Sequence, residues 1–359
     1  MPAYYYALFF LLIFSRVEGI VRQYYIAAVE VDWDYAPAHF DKYNDKPLAD
    51  TIAANFTVRT KDRIGSTYRK AVYKRYTDDT FSNVITSDPS FGFLGPIIRG
   101  EMGDQIRINF YNNASKPFNL HPYPSKGKSD IKTSDPVQPG DRYIYVWDVP
   151  TVSGEAIGNF SSTLWTYQSL VDPQHDLQTG LIGPLVVYKK GMLMDDYLSR
   201  PESIDREIFT IMMITDENIS QYISESAKAA NIPDQRLKEL LKNNDFIESN
   251  KMYHVNGFVF NNNPGIHLPL GSKVRWYVIA FGLNEKDHHT AHWHGGTLLK
   301  GGHRVDVVDL PSSSFEVLDM VPDNPGQWLF HCHVANHLMN GMSAFYQVDE
   351  PETGDSEGG

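Results

Sequence analysis

The sequence predicts an all-β chain of two sandwich domains, with a short helical insertion in the second. Short runs with period-two alternation and high aromatic content recur along the chain, the pattern of half-buried antiparallel strands. Pro and Gly punctuate them, as in Gly95-Pro96, Pro139-Gly140 and Gly183-Pro184, where strand pairing must stop or turn. The length of 359 residues suits two cores of about 150 to 200 residues each.

In chain order, residues 1–19 read as a signal peptide. An apolar core from Ala7 to Phe14 is too short to span a bilayer, and the n-region lacks the usual basic residue. Residues 20–188 form the first domain, with strands expected in YYIAAVEVDW, FTVRT, AVYKRY, GPIIRG, DQIRINFYN and RYIYVWDV. A linker over 189–205 leads to the second domain, 206–350, whose strands include EIFTIMMI, VRWYVIAFG, SFEVLDMV and QWLFHCHV. Between the first two of these lies the one helical region, Ser220 to Asn243, with Pro233 able to start a second helix. Residues 351–359 read as a disordered tail. Two internal echoes, GFLGPI with GLIGPL and PGDRYIYVW with PGQWLFHC, suggest related domains.

A formal net charge of −12 without gathered Lys and Arg argues against nucleic acid as a partner. No later segment is a membrane span. Sequons at Asn55, Asn113, Asn159 and Asn218, with the signal peptide, point to a secreted glycoprotein. Cys332 is the only cysteine, so no intrachain disulfide is possible and its thiolate is free for metal.

The chemistry concentrates in His289-Thr290-Ala291-His292-Trp293-His294 and in His331-Cys332-His333, followed by His337 and Met342. Strand side chains alternate faces, so His292 and His294 share one face while His289 takes the other; likewise His331 and His333 oppose Cys332. If the two strands are neighbours, two metal sites form back to back. His289, Cys332 and His337 with a weak axial Met342 are the donor set of a blue-copper centre. His292, His294, His331 and His333 make the second site, joined to Cys332 by one peptide unit on each side. Zinc is an alternative for such histidine pairs. His288 has no place in the pattern.

HTAHWHG with HCHVANHLMNGM resembles the multicopper oxidases, specifically the ceruloplasmin and hephaestin ferroxidases. YYIAAVEVDWDYAP, YKRYTDDTF, GLIGPLVV, DFIESNKM and PGQWLFHCHV are similar to the last third of ceruloplasmin. The resemblance implies two cupredoxin-like Greek-key sandwiches and copper as cofactor. It makes the four paired histidines half of a trinuclear cluster that reduces dioxygen. For the other half it places His121-Pro122-Tyr123 and Tyr167-Gln168-Ser169 where histidine pairs would stand, leaving His121 as the one candidate. Another cupredoxin chain or domain would have to complete the cluster. The resemblance also sets Glu248 on a carboxylate for ferrous iron, with Tyr253 and Asn336 in place of histidine and aspartate; His254 is a candidate substitute. Ser162 and Tyr188 occupy the positions of a family disulfide.

Together these features predict a secreted copper-binding oxidoreductase that oxidises Fe(II) or another small reductant and passes electrons toward dioxygen. An electron-transfer module without oxidase turnover and an extracellular structural glycoprotein are the competing readings.

Overall fold

A computed structural model of the chain describes residues 19–123, 135–150, 160–193, 204–284 and 286–350. The signal peptide, Asn159, most of the linker and the tail lie outside the described residues. The first half carries β1 (Val21–Asp34), β2 (Phe40–Asp41), β3 (Lys46–Pro47), α1 (Ala54–Thr57), β4 (Thr67–Tyr76), β5 (Val84–Ile85), β6 (Ile98–Glu101), β7 (Gln105–Asn113), β8 (His121–Tyr123), β9 (Arg142–Asp148), β10 (Ser162–Gln168), α2 (Pro173–Thr179) and β11 (Ile182–Tyr188). The second half carries β12 (Arg206–Asp216), α3 (Ile223–Ala229), α4 (Asp234–Leu240), α5 (Asn244–Ser249), β13 (Lys251–Val255), β14 (Ile266–Leu268), β15 (Val274–Phe281), β16 (His288–Trp293), β17 (Leu298–Lys300), β18 (His303–Val305), β19 (Val307–Pro311), β20 (Ser314–Met320), β21 (Gly326–Cys332), α6 (Ala335–Met339) and β22 (Ser343–Val348).

Each half is a two-sheet sandwich. The first pairs its strands in the orders β5-β4-β1-β7-β9 and β6-β11-β10-β8; the second in the orders β13-β12-β15-β20-β17-β18 and β14-β22-β21-β16-β19. The topologies correspond, with β8 and β10 standing in the first sandwich where β16 and β21 stand in the second.

Three apolar cores hold the chain together, one within each sandwich and one between them. Ile106, Ile108, Phe110 and Leu185 fill the first sandwich, and Trp276, Trp293, Phe330, Cys332 and Met342 fill the second. A third core joins them, and its origin is visible in β12. The run EIFTIMMI is buried on both faces, because Ile208, Met212 and Ile214 point into their own sandwich while Phe209, Ile211 and Met213 pack toward the first half. Ala227, Leu237, Leu240 and Phe246 of the helical insertion cover the same seam. Pro233 caps α4 from outside its first turn, as its missing N–H allows.

Several sequence expectations are corrected. The sandwiches are mixed rather than antiparallel, since β1 pairs parallel with β7 and β12 with β15; alternation reports which face is buried but not strand direction. FTVRT is not a strand. Thr57 and Val58 donate backbone bonds to Ala53 and Ala54 at 2.9 and 3.3 Å, which winds this stretch into α1. The insertion is not the one helical region, because α2 and α6 follow β10 and β21. The echoes do not mark duplication. Gly95 N–H donates to Ile182 C=O at 2.9 Å, so GFLGPI and GLIGPL are neighbours within one sandwich. PGDRYIYVW enters β9, whereas PGQWLFHC enters β21, the counterpart of β10.

Ser162 and Tyr188 face each other across the β10–β11 pair. In place of a covalent bridge, the Ser162 and Tyr277 hydroxyls bond at 2.8 Å, and the Tyr188 and Tyr277 hydroxyls donate to Glu207 Oε1 at 2.7 and 2.9 Å. Arg99 completes this polar link across the seam at 2.7 Å from Glu207 Oε2.

Candidate metal centre

Strands β16 and β21 are antiparallel neighbours, with Ala291 opposite Cys332 and His292 opposite His331. This register turns the alternation into two clusters on opposite faces of one strand pair. The first consists of His289, Cys332 and His337, all buried, with donor atoms within 4.8 Å of one another. Cys332 Sγ lies 3.9 Å from His289 Nδ1 and 3.5 Å from His337 Nδ1. His337 sits on α6 rather than in a loop. That helix returns the chain so that Met342 N–H donates to His337 C=O at 2.9 Å and Cys332 N–H to Met342 C=O at 3.1 Å. Met342 is fully buried beside them.

Each histidine of this cluster is oriented through its other ring nitrogen. His289 Nε2 lies 3.0 Å from the Phe281 carbonyl, and His337 Nε2 lies 3.4 Å from Asp287 Oδ1. Such partners fix the tautomer and aim the remaining lone pair inward. Burial alone would raise the Cys332 thiol, but hydrogen bonds from His289, His337 and the Thr290 and Val334 N–H groups bring it down to about 6. Burial works against a charged His337, but Asp287 and Cys332 raise it to about 9. At neutral pH Cys332 is thus held as a thiolate against a protonated His337, and His337 must release that proton before its Nδ1 can ligate a metal.

His292, His294 and His331 form the second cluster. His331 Nε2 lies 3.1 Å from His292 Nδ1 and 3.0 Å from His294 Nε2. Burial lowers His331 to about 4 and lowers His292 as well, so both present neutral rings. His333 is exposed and stands at the edge, its ring 5.2 Å from that of His292 and 5.8 Å from that of His331. His288 is exposed outside both clusters.

The other site residues do not join these groups. His121 lies buried on β8 of the first sandwich against Tyr145, and no polar partner meets its Nε2 among the described residues. Tyr123 packs on Phe281, the Tyr167 hydroxyl donates to the Pro96 carbonyl at 2.6 Å, and the Ser169 hydroxyl donates to Asp176 Oδ2 at 2.6 Å. The strand pair that carries the histidines in the second sandwich is thus repeated in the first, with the Tyr167 and Ser169 hydroxyls committed to structural bonds and the His121 ring buried without a partner for Nε2 among the described residues. Glu248 is exposed and accepts from Lys251 Nζ at 2.6 Å. Tyr253 is buried, its ring 5.6 Å from that of His337. His254 turns away from both, held between Thr215 Oγ1 at 2.8 Å and Gly257 N–H at 2.9 Å.

Of the sequons, Asn55 and Asn113 are exposed. The Asn218 side-chain amide instead donates to Asp216 Oδ1 at 2.7 Å and to the Ile247 carbonyl at 2.9 Å, and a glycan on that nitrogen would leave only one hydrogen for the two bonds. Sequence reasoning missed Asp287 and the Phe281 carbonyl. Asp287 adjoins His288-His289, but only the folded loop brings it to His337.

Comparisons with known proteins agree with this geometry. Residues 231–352 and 73–191 each match a family model described as multicopper oxidase. The chain is 37% identical to hephaestin of Rattus norvegicus over 92% of its length and 37% identical to ceruloplasmin of Rattus norvegicus over 91%. It spans 30% and 31% of those relatives' own lengths. A copper nitrite reductase structure from Nitrosomonas europaea shares the fold with a TM-score of 0.58 at 15% identity, covering 92% of this chain and 94% of that one. No helix among the described residues is long and apolar enough to cross a membrane.

Proposed function

From the premise that this chain belongs to the multicopper oxidase family, we propose that it is a secreted, copper-binding oxidoreductase of ferroxidase type, oxidising Fe(II) or a similar small reductant. The observation that carries this reading is the buried convergence of His289, Cys332 and His337 beside Met342. One thiolate, two imidazoles and a thioether are soft donors that suit copper, and the orienting bonds to Phe281 and Asp287 are those a ligating histidine needs. Copper bound there supplies one-electron redox chemistry.

The chain's own residues do the rest. Burial of Cys332 and Met342 excludes water from the thiolate. Tyr253 packs beside His337 and bonds to Asn336, and we assign exposed Glu248, which accepts from Lys251, as the carboxylate for ferrous iron. The peptide units on either side of Cys332 connect the buried cluster to His331 and His333 on the opposite face. Reduction of dioxygen there calls for further donors, from another cupredoxin chain or domain.

Copper-loaded protein should show an intense visible thiolate-to-copper band that disappears in Cys332→Ser; a colourless, copper-free protein after loading overturns the proposal. A second reading, an electron-transfer module without oxidase turnover, is favoured by the structural bonds of Tyr167 and Ser169. Dioxygen uptake with ferrous iron or an aromatic amine separates the two, since only the oxidase consumes dioxygen.

A further inference from the structure

One edge of the first sandwich is open to another strand. β9 ends the sheet order β5-β4-β1-β7-β9, and among the described residues no strand pairs with its outer side. In the second sandwich the counterpart β20 has that side occupied by β17, with Leu298 opposite Met320. Exposed edges are ordinarily blunted by lysine, proline, a bulge or a very short strand. β9 runs seven residues as RYIYVWD, in unbroken register with β7, and has none of these.

Both its backbone and its side chains suit a partner strand. Val149 N–H donates to the Asp104 carbonyl at 2.8 Å and Asn112 N–H to the Asp141 carbonyl at 3.0 Å, so odd-numbered residues turn their backbone groups toward β7. By period two, the N–H and C=O groups of Arg142, Ile144, Val146 and Asp148 point outward. The side chains of these four share the outer face of the sheet, where Ile144 and Val146 are 46% and 48% exposed. Tyr145 faces the core, and Trp147 packs against it.

Placed antiparallel beside a second copy of itself, with a twofold axis at Tyr145, this strand is self-complementary. Arg142 stands opposite Asp148 of the second copy and Ile144 opposite its Val146, each pair made twice by the symmetry. On the other face Tyr143 meets Trp147. The pairs that face each other are then those whose backbone groups point outward, as an antiparallel ladder requires. A shift of one residue opposes outward-pointing groups to inward-pointing ones. A shift of two sets Arg142 against Val146, or Asp148 against Ile144, and loses the charge pairs. In the single chain Arg142 Nη1 donates to the Asp79 carbonyl at 2.9 Å, and Asp148 Oδ1 accepts from Gln105 Nε2 at 2.9 Å. Both side chains are exposed, and a rotamer change turns them toward a partner.

We propose that β9 is an association surface whose partner is a second copy of this chain, the two strands pairing antiparallel about Tyr145 so that two five-stranded sheets become one. Such a contact uses the same patch on both copies and closes on itself, giving a dimer rather than a fibre. The surface belongs to the first sandwich and includes no residue of the histidine clusters, so it stands apart from the copper reading.

Sedimentation of the full chain over a concentration series is the test, with far-UV circular dichroism and a denaturation midpoint to report that each variant folds. Wild type should pass from monomer to dimer as concentration rises. Ile144→Lys with Val146→Lys sets lysine against lysine along the shared face and should leave only monomer over the same range. Arg142→Asp and Asp148→Arg each oppose like charges and should weaken the dimer about 10–100-fold. Combining those two restores opposite charges and should return most of the affinity. A chain that stays monomeric at its highest soluble concentration overturns the proposal. So does a dimer or larger assembly that persists in the folded lysine variant, or charge variants whose losses add instead of cancelling.

Discussion

Asp287 holds His337 from behind, and the role of this loop carboxylate depends wholly on tertiary placement. Burial would raise its pKa, but the hydrogen bond from His337 brings it below the ordinary carboxylate value, so the contact is charge-assisted. Asp287→Asn should weaken copper binding at this site about 10–100-fold, read by competition titration of the visible band, with little change in folding. His121 gives a second test. Burial lowers it to about 4 from 6.5, so as pH falls the unfolded chain takes up the proton first. Stability is then lost from pH 6.5 downward, reaching about 3 kcal/mol near pH 4 at 1.36 kcal/mol per unit. Urea unfolding of His121→Gln should lack that part of the acid dependence.

At the scale of elements, the turn after β13 shows how one residue can fix two sandwiches. Asn256 adopts a positive φ of 55°, its Oδ1 accepts from Ile211 N–H at 2.7 Å, and its Nδ2 donates to the Ser90 and Phe209 carbonyls at 2.7 and 2.9 Å. Ala at this position would leave three buried backbone groups unpaired in a conformation it tolerates poorly. Asn256→Ala should cost about 3–5 kcal/mol, measured as a shift in the denaturation midpoint.

Strand parity made the two histidine clusters legible in the sequence, because period two is local and β16 and β21 obey it. The same alternation could not reveal that β1 and β7 run parallel, since direction is set by a crossover connection. Nor could it place His337 on a helix, where four intervening residues read equally as loop. The orienting groups Asp287 and Phe281 were hidden for a related reason: neither the pairing of a carboxylate across a loop nor the aim of a backbone carbonyl has a sequence period.

Across the whole molecule, the seam between the sandwiches combines an apolar core with a buried charge pair. Lys70 Nζ donates to Glu217 Oε1 at 2.5 Å and to the Gln178 carbonyl at 2.9 Å, while the Tyr35 hydroxyl donates to the same Glu217 oxygen at 2.6 Å. Both charged side chains are completely buried. Burial raises Glu217 and lowers Lys70, in each case toward the neutral form, so desolvation opposes the pair even as their mutual attraction holds it. Removing one partner strands the other charge in a low-dielectric seam, which costs about 3–5 kcal/mol. Lys70→Met should therefore be strongly destabilising. Lys70→Met combined with Glu217→Gln keeps an acceptor for Tyr35 and leaves no buried charge, so it should recover most of that loss. Because the core beneath is shared by Tyr68, Val186, Phe209 and Ile279 from both halves, calorimetry of the wild type should show one cooperative transition. If Lys70→Met instead unfolds in two steps, the charge pair rather than the apolar seam is what couples the sandwiches.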